Sequence, residues 1–376
     1  MKIIIAPDSF KGSLTAIEAA RAMREGIREV DPAIETILMP AADGGEGTMQ
    51  SLVDATGGRF VDVSVEDPLG RAVMASYGVL GDGKTCVIEI AEASGLTRLH
   101  TDELDPIVAS SYGTGMLIAH AMDAGYRNFI IGLGGSATND GGAGLLQALG
   151  IQFLDKEGKE LPKGGGALQK IASIHMENWD PRIAQCEFTV ACDVSNPLVG
   201  PNGASAVFGP QKGATEKDIA LLDRSLQRFA DLIEKETGIA LHNKAGAGAA
   251  GGAGGAFQAF FNCVMRQGID VVLEAIEFDR YLDDADLVLT GEGKTDMQTL
   301  SGKTPIGIAQ AAREKGKPAI LISGMIDEES RSEVAPYFTE IHAIVDGGIS
   351  REDGMEEAFV HLKERTKKVM ERVIYQ

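Results

Sequence analysis

Four segments place an acid beside glycine, serine or lysine at the end of a strand-like run: Ala6-Pro-Asp-Ser-Phe-Lys, Ala42-Asp-Gly-Gly-Glu-Gly-Thr, Ala191-Cys-Asp-Val-Ser-Asn-Pro-Leu and Gly291-Glu-Gly-Lys-Thr-Asp. Any one of them is ordinary turn chemistry, because Asp before Gly caps turns. Four together at strand ends suggest a working set. Phosphoryl transfer needs such a set: carboxylates to hold Mg²⁺, cations for the transferring oxygens, and one base beside the acceptor hydroxyl. Cations stand beside glycines at Lys11, Lys212, Lys294 and Lys303, and Arg71 follows Pro68-Leu-Gly. The six histidines lie singly, without metal-ligand spacing, and no G-x-S-x-G elbow points to a serine hydrolase.

A fifth segment is richer in glycine. Phe129-Ile-Ile runs into Gly132-Leu-Gly-Gly-Ser-Ala-Thr-Asn-Asp-Gly-Gly-Ala-Gly and then into the apolar Leu145-Leu-Gln-Ala-Leu. A glycine-rich turn from strand to helix brings backbone N–H groups close to an anion, helped by the helix dipole. Phosphate is the favoured guest. Read as G-x-G-x-x-A with Asp155 downstream, the same segment imitates a dinucleotide fingerprint, and a purely structural turn is the third reading. The hydroxyl, amide and carboxylate groups of Thr138-Asn-Asp suit phosphate plus a metal ion better than a pyrophosphate bridge alone. Two Gly-Lys-Thr tripeptides, at 293–295 and 302–304, are not Walker A loops, because the glycine required five positions earlier is Val288 or Met297. The second instead reads as a helix start, with Thr304 as N-cap and Pro305 at the first helical position.

The elements that must position these residues alternate. Short β-branched runs, at Lys2–Ala6, Thr36–Met39, Ala285–Thr290, Ala319–Ser323 and Ile341–Val345, are separated by helical patterns at 13–29, 305–315 and 355–373. That is the signature of a mostly parallel sheet with crossover helices. Between 59 and 89 three strands follow one another with turn signals and no helix, so the texture changes to hairpins. Further helices are expected near 106–124 and 215–237, and strands near 128–131 and 187–192. The predicted class is α/β, with two α/β domains around a cleft: a discontinuous, Rossmann-like doubly wound domain from 1–58 plus 272–376, and an inserted domain with a mixed sheet at 59–271. Ligand is expected at the carboxyl ends of the strands. The Ala/Gly run at 245–256 reads as a loop feeding a buried helix rather than a linker.

Composition narrows the partners. The chain has 376 residues, with 55 Asp and Glu against 35 Lys and Arg, a formal net charge of −20. Nucleic acid and anionic membrane surfaces are therefore excluded as broad-surface partners. The 47 glycines are concentrated at loops and accompanied by only 13 prolines, which argues against disorder. No signal peptide and no run of about 18 apolar residues is evident, so a cytoplasmic location is expected.

Taken in order, the five segments together with Phe208-Gly-Pro-Gln-Lys-Gly-Ala resemble the bacterial type-1 glycerate kinases over essentially the whole chain. The resemblance implies ATP-dependent phosphorylation of D-glycerate with Mg²⁺, 2-phosphoglycerate being the expected product rather than 3-phosphoglycerate. It also implies two α/β domains around a cleft. On that basis the nucleotide is expected at Gly134, Gly135, Ser136, Thr138, Asn139, Lys212, Glu292 and Lys294, and the metal at Asp140, Asp43 and Glu46. Glycerate is expected at Ser9, Lys11, Arg71 and Asp296. Asp193 is the first choice for the residue that orients or deprotonates the acceptor hydroxyl, with Asp8 and Asp296 as rivals and Lys11 beside the reacting groups. The alternatives are a NAD-linked dehydrogenase of a small hydroxy acid, in which Asp155 would hold a ribose, and a non-catalytic sugar-acid binding protein.

Overall fold

Strands buried on both faces need apolar residues at successive positions, and the runs Ile3-Ile-Ile and Leu287-Val-Leu supply them. The computed structural model describes residues 1–345 and 349–375. Five strands form an all-parallel sheet in the order Glu340–Ala343, Ala319–Ser323, Leu287–Thr290, Lys2–Ile5, Glu35–Leu38. Ile5 is level with Leu289 on one side and Leu38 on the other. From Lys2–Ile5 the chain crosses to Glu35–Leu38, whereas Leu287–Thr290 continues away from it toward Ala319–Ser323. The connections diverge between these two central strands, and that divergence opens a crevice at their carboxyl ends.

The helix Ala16–Val30 covers this sheet. Thr15 caps it in a reciprocal box with Glu18, and Ala16, Ala19, Ala20, Ala22, Met23, Gly26 and Ile27 form its buried stripe. It packs closely on Ala358–Tyr375: a Cβ on Gly26 would stand 2.4 Å from the Lys363 carbonyl oxygen. Lys363 and Lys367 both reach Glu29, at 2.9 and 3.0 Å. Such exposed pairs contribute little, so the apolar stripe dominates the helix's stability.

A second, six-stranded sheet runs Cys263–Arg266, Glu187–Ala191, Asn128–Gly132, Thr85–Glu89, Ala72–Val79, Arg59–Glu66. The first four strands pair in parallel and the last two join through antiparallel pairings, so this sheet is mixed. In Arg59–Glu66 the side chains alternate, with Val63 and Val65 buried and Asp62 and Ser64 exposed. Phe129 and Phe188 stack with centroids 4.8 Å apart in its core. The helix expected near 106–124 begins only at Tyr112. Before it, the Asp105 carboxylate accepts from the Ile107 N–H and the Asp105 carbonyl from the Ala109 N–H, holding a turn where the helix would have started. The Ala/Gly run is a buried turn, Ala249–Gly252, leading into the helix Ala253–Phe260.

The chain divides into two units. One comprises Met1–Asp43, Gln50–Gly57 and Gln267–Gln376 and contains the parallel sheet; the other comprises Gly44–Met49 and Gly58–Arg266 and contains the mixed one. Among the described residues no helix is long and apolar enough to cross a membrane.

Candidate active site

In the first unit the crevice between Lys2–Ile5 and Leu287–Thr290 is a cavity of about 280 Å³. Asp8, Ser9, Lys11, Asp43, Glu292, Lys294 and Asp296 all line it, so residues from three of the five segments meet here. The two strand ends are tied together: the Asp8 N–H donates to the Gly291 carbonyl at 2.8 Å and Thr290 Oγ1 to the Ala6 carbonyl at 2.8 Å. Gly291 is required by this closeness, since a Cβ would lie 2.1 Å from the Ile322 carbonyl oxygen.

Asp8 is held at both oxygens. Oδ1 accepts from the Ser9 N–H at 2.6 Å and Oδ2 from Thr304 Oγ1 at 2.8 Å. Burial pushes its carboxyl up to about 6 and the Asp43 charge adds to this, while Thr304, Ser9 and Lys11 pull it back. The sequence reads Thr304 as an N-cap. In the structure Lys303 takes that position and the Thr304 hydroxyl serves Asp8 instead.

Glu292 is also enclosed. Thr295 and Thr299 hydroxyls each donate to Oε1 at 2.8 Å. Because Thr295 has one proton and gives it to Glu292, Ser323 Oγ is the donor in their 2.6 Å contact. Burial pushes the Glu292 carboxyl up to about 7, opposed by the two threonines and Lys303 and reinforced by Asp8. Lys294, expected at the nucleotide, is engaged by Asp327 at 2.7 Å and Asp296 at 3.6 Å.

The sign of the Glu292 shift has a measurable result. The folded group keeps its proton to about pH 7, whereas the unfolded one loses it near 4.5. Its stabilising effect is thus fully present below about pH 4.5 and lost as pH rises through about 7. Relative to Glu292→Gln, which retains an acceptor oxygen for the threonines, the parent chain should lose on the order of 3 kcal/mol between pH 4.5 and pH 8. Urea unfolding of both chains across that range checks this, and parallel curves would show that the carboxyl titrates normally.

The glycine-rich segment lies in the second unit and departs from expectation. Its helix, Ala143–Ala148, has only six residues and starts after Gly142. The N–H groups of Gly142 and Gly144 donate to Asp140, at 3.0 and 3.1 Å, and Ser111 adds its N–H and Oγ, both at 2.8 Å. The Asp140 side chain itself occupies that helix terminus, and burial raises its carboxyl above the usual range against the pull of these donors. Fully buried and already accepting four hydrogen bonds, it does not fit the metal role the sequence suggests for it. Lys212 is buried as well: Nζ donates to Ser136 Oγ at 2.9 Å and the Thr138 carbonyl at 2.7 Å, and burial lowers its ammonium to about 7 despite Asp140's charge. Ser136, Thr138 and Asn139 are likewise enclosed, with Asn139 Nδ2 on Ser205 Oγ at 2.9 Å. Thr138 Oγ1 and Asn139 Oδ1 are buried without a partner. Within this loop the surface is reached at Gly134 and Gly135.

Four other residues singled out from the sequence belong to the second unit. Arg71, expected to bind the substrate carboxylate, is taken up by Asp67 at 2.5 Å and Glu103 at 2.6 Å, so its guanidinium already has two carboxylate partners. Asp193 is exposed beyond the strand Glu187–Ala191. Glu46 is exposed in the Gly44–Met49 segment, where Glu89, not singled out from the sequence, receives the N–H groups of Gly47 and Met49. Asp155 holds the turn after Gln152–Leu154 by accepting from Glu157 and Lys159, which removes the ribose-binding acid of the dinucleotide reading.

A family model described as the glycerate kinase family matches residues 3–374. The chain is 50% identical over 366 residues to a glycerate kinase of Bacillus subtilis (strain 168), covering 97% of this chain and 96% of the relative. It is 48% identical over 329 residues to the glycerate 2-kinase of Escherichia coli (strain K12), covering 88% and 86%. A solved structure from Salmonella typhimurium LT2, assigned as a glycerate kinase 2, superposes with a TM-score of 0.91 at 45% identity, covering 100% of this chain and 98% of that one.

Proposed function

Because the chain belongs to the glycerate kinase family, we propose that it moves the terminal phosphoryl group of ATP to the 2-hydroxyl of D-glycerate, releasing ADP and 2-phosphoglycerate. The observation that carries this reading is Asp8: an acid at a strand end, gripped by two hydrogen bonds, with its pKa pushed up to about 6, in a cavity sized for a small acid. A base with a pKa near the working pH is both ionised and strong enough to take a hydroxyl proton. This favours Asp8 over the exposed Asp193.

In this reading Asp8 accepts the proton of the 2-hydroxyl as its oxygen bonds to the γ-phosphorus and the bond to the ADP oxygen breaks. Ser9 and Thr304 keep the carboxylate aimed, and Lys11 faces the developing negative charge. Gly134 and Gly135, the latter at φ +73°, offer exposed backbone to the nucleotide phosphates. Among the described residues no group of three or more His, Cys, Asp or Glu is arranged to hold a metal. Mg²⁺ does not need one, since it commonly takes one or two carboxylates plus phosphates and water. Asp43 fits as such a carboxylate, lining the cavity with its charge felt by Asp8. When bound, the ion would supply charge neutralisation on the transferring phosphoryl group. The reaction belongs in the cytoplasm, where ATP is available.

The 2-position is supported by the Escherichia coli relative, which is named a glycerate 2-kinase. An ADP-release assay with D-glycerate, ATP and Mg²⁺, followed by proton-coupled ³¹P NMR, tests both parts. A doublet from a single neighbouring C–H identifies 2-phosphoglycerate. A triplet from a CH₂ would overturn the regiochemistry, and absence of glycerate-dependent ADP release would overturn the reading.

A further inference from the structure

The cavity of the first unit has a wall that the sequence motifs do not announce. Arg351 and Met355 line it together with Lys11 and Asp8. Both stand on the short helix Arg351–Glu356, four residues apart and so on one face. That helix is fixed in three ways. Ser350 caps it, accepting from the Asp353 N–H at 3.1 Å and donating to the Asp353 carboxylate at 2.6 Å. Gly354 is buried so closely that a Cβ would stand 3.0 Å from Val345 Cγ2. Met355 Cε lies 3.3 Å from where a Cβ on Gly12 would be, so the helix also rests on the loop carrying Ser9 and Lys11.

The cations around the cavity are not equivalent. Lys294 is engaged by Asp327 and Asp296. Lys303 reaches Gln298 Oε1 at 3.4 Å and its charge acts on Glu292. Lys11 acts on Asp8. Arg71 is paired with Asp67 and Glu103, and Arg182 with Asp180 and Asp123. Arg351 makes no ion pair with a described residue, although it lines a cavity that also contains Asp8, Asp43, Glu292 and Asp296. A guanidinium presents two parallel N–H donors that match a carboxylate, which a lysine cannot do.

We infer that Arg351 is the residue that recognises the carboxylate of the acid substrate, with Met355 forming the apolar wall beside it. The inference rests on the proposed occupation of this cavity by glycerate. It replaces Arg71 in that role, and it assigns the preference for acids over neutral polyols to the helix Arg351–Glu356. Asp8 and Arg351 then divide the substrate between them, one handling the hydroxyl and the other the carboxylate.

The test compares D-glycerate with its neutral isostere D-glyceramide in the parent chain and in Arg351→Ala and Arg351→Lys. Losing a hydrogen bond to a charged group corresponds to roughly 10- to 100-fold in affinity. Arg351→Ala should therefore raise the KM for D-glycerate by about that factor, leave the KM for ATP and the kinetics with glyceramide within about twofold, and so shrink the acid-to-amide preference. Arg351→Lys should fall between. An unchanged acid-to-amide preference, or a rise in the KM for ATP instead, would overturn the assignment while leaving the kinase reading intact. A parent chain that neither binds D-glycerate by calorimetry nor phosphorylates it would overturn both.

Discussion

Asp8→Asn should lower kcat for D-glycerate by about 10²- to 10⁴-fold, the usual contribution of a general base. Asparagine keeps an oxygen and the shape of the side chain but cannot accept the proton. The KM for D-glycerate should change much less than kcat, because the substrate carboxylate lies on another group and the amide oxygen can still accept from the hydroxyl. Folding should be unharmed: a buried carboxyl whose pKa is raised is one whose charge the fold disfavours, so a neutral isostere relieves that cost. In the parent chain kcat/KM should rise as pH passes through about 6 and then level off, and the variant should lack that limb. Asp193→Asn, at the exposed end of another strand, is the comparison. Near-normal turnover by Asp8→Asn with collapse of Asp193→Asn would reverse the assignment.

Gly251→Ala should be among the most damaging single-methyl changes for stability. Gly251 has φ +66°, and a Cβ there would stand 1.9 Å from the Thr138 carbonyl oxygen and 2.7 Å from Asn139 Cα. Both obstacles are backbone and cannot swing aside. The Gly251 carbonyl also accepts from the Gly141 N–H at 2.9 Å, so retreat breaks a bond between the two glycine-rich segments. A cost of about 4 kcal/mol is expected, in the range of severe backbone effects. For a unit of this size that corresponds to a fall in Tm of roughly 8–16 °C by calorimetry. Gly238→Ala supplies the contrast: Gly238 has φ +77° with nothing within 4 Å of a Cβ. It should cost only the left-handed conformation, about 1–2 kcal/mol. Equal losses at the two sites would show that the close approach contributes nothing.

The strands of the parallel sheet were readable because burial on both faces writes continuous apolar runs into the chain, as at Ile3–Ile5 and Leu287–Leu289. The change to hairpins after Arg59 was readable from turn signals with no helical pattern between the strands. Chemical type was readable in part, in that acids and cations from three of the five segments line one cavity. Partners were not. Asp140 looks like a metal ligand until Ser111, 29 residues earlier, arrives with two donors. Arg71 looks like a free cation until Glu103 meets it, and Thr304 looks like a cap until Asp8 is placed beside it. Side-chain hydrogen bonds of this kind depend on which segments the fold brings together, and local pattern carries little information about that. Arg351 left one faint trace, the Ser350-x-x-Asp353 spacing that starts its helix.

The parallel sheet also sets a timetable for synthesis. Its second strand from one edge, Lys2–Ile5, is made more than 280 residues before its neighbour Leu287–Thr290. At about 5–20 residues per second that gap is roughly 15–60 s of translation. Through that interval the triple isoleucine has only Glu35–Leu38 to pair with, and its other edge stays open to wrong partners. The mixed-sheet unit is complete by Arg266 and can fold first, on the ribosome. The nascent chain therefore carries the open edge of Ile3–Ile5 until Leu287–Thr290 emerges, which is after every residue of the mixed-sheet unit has been made.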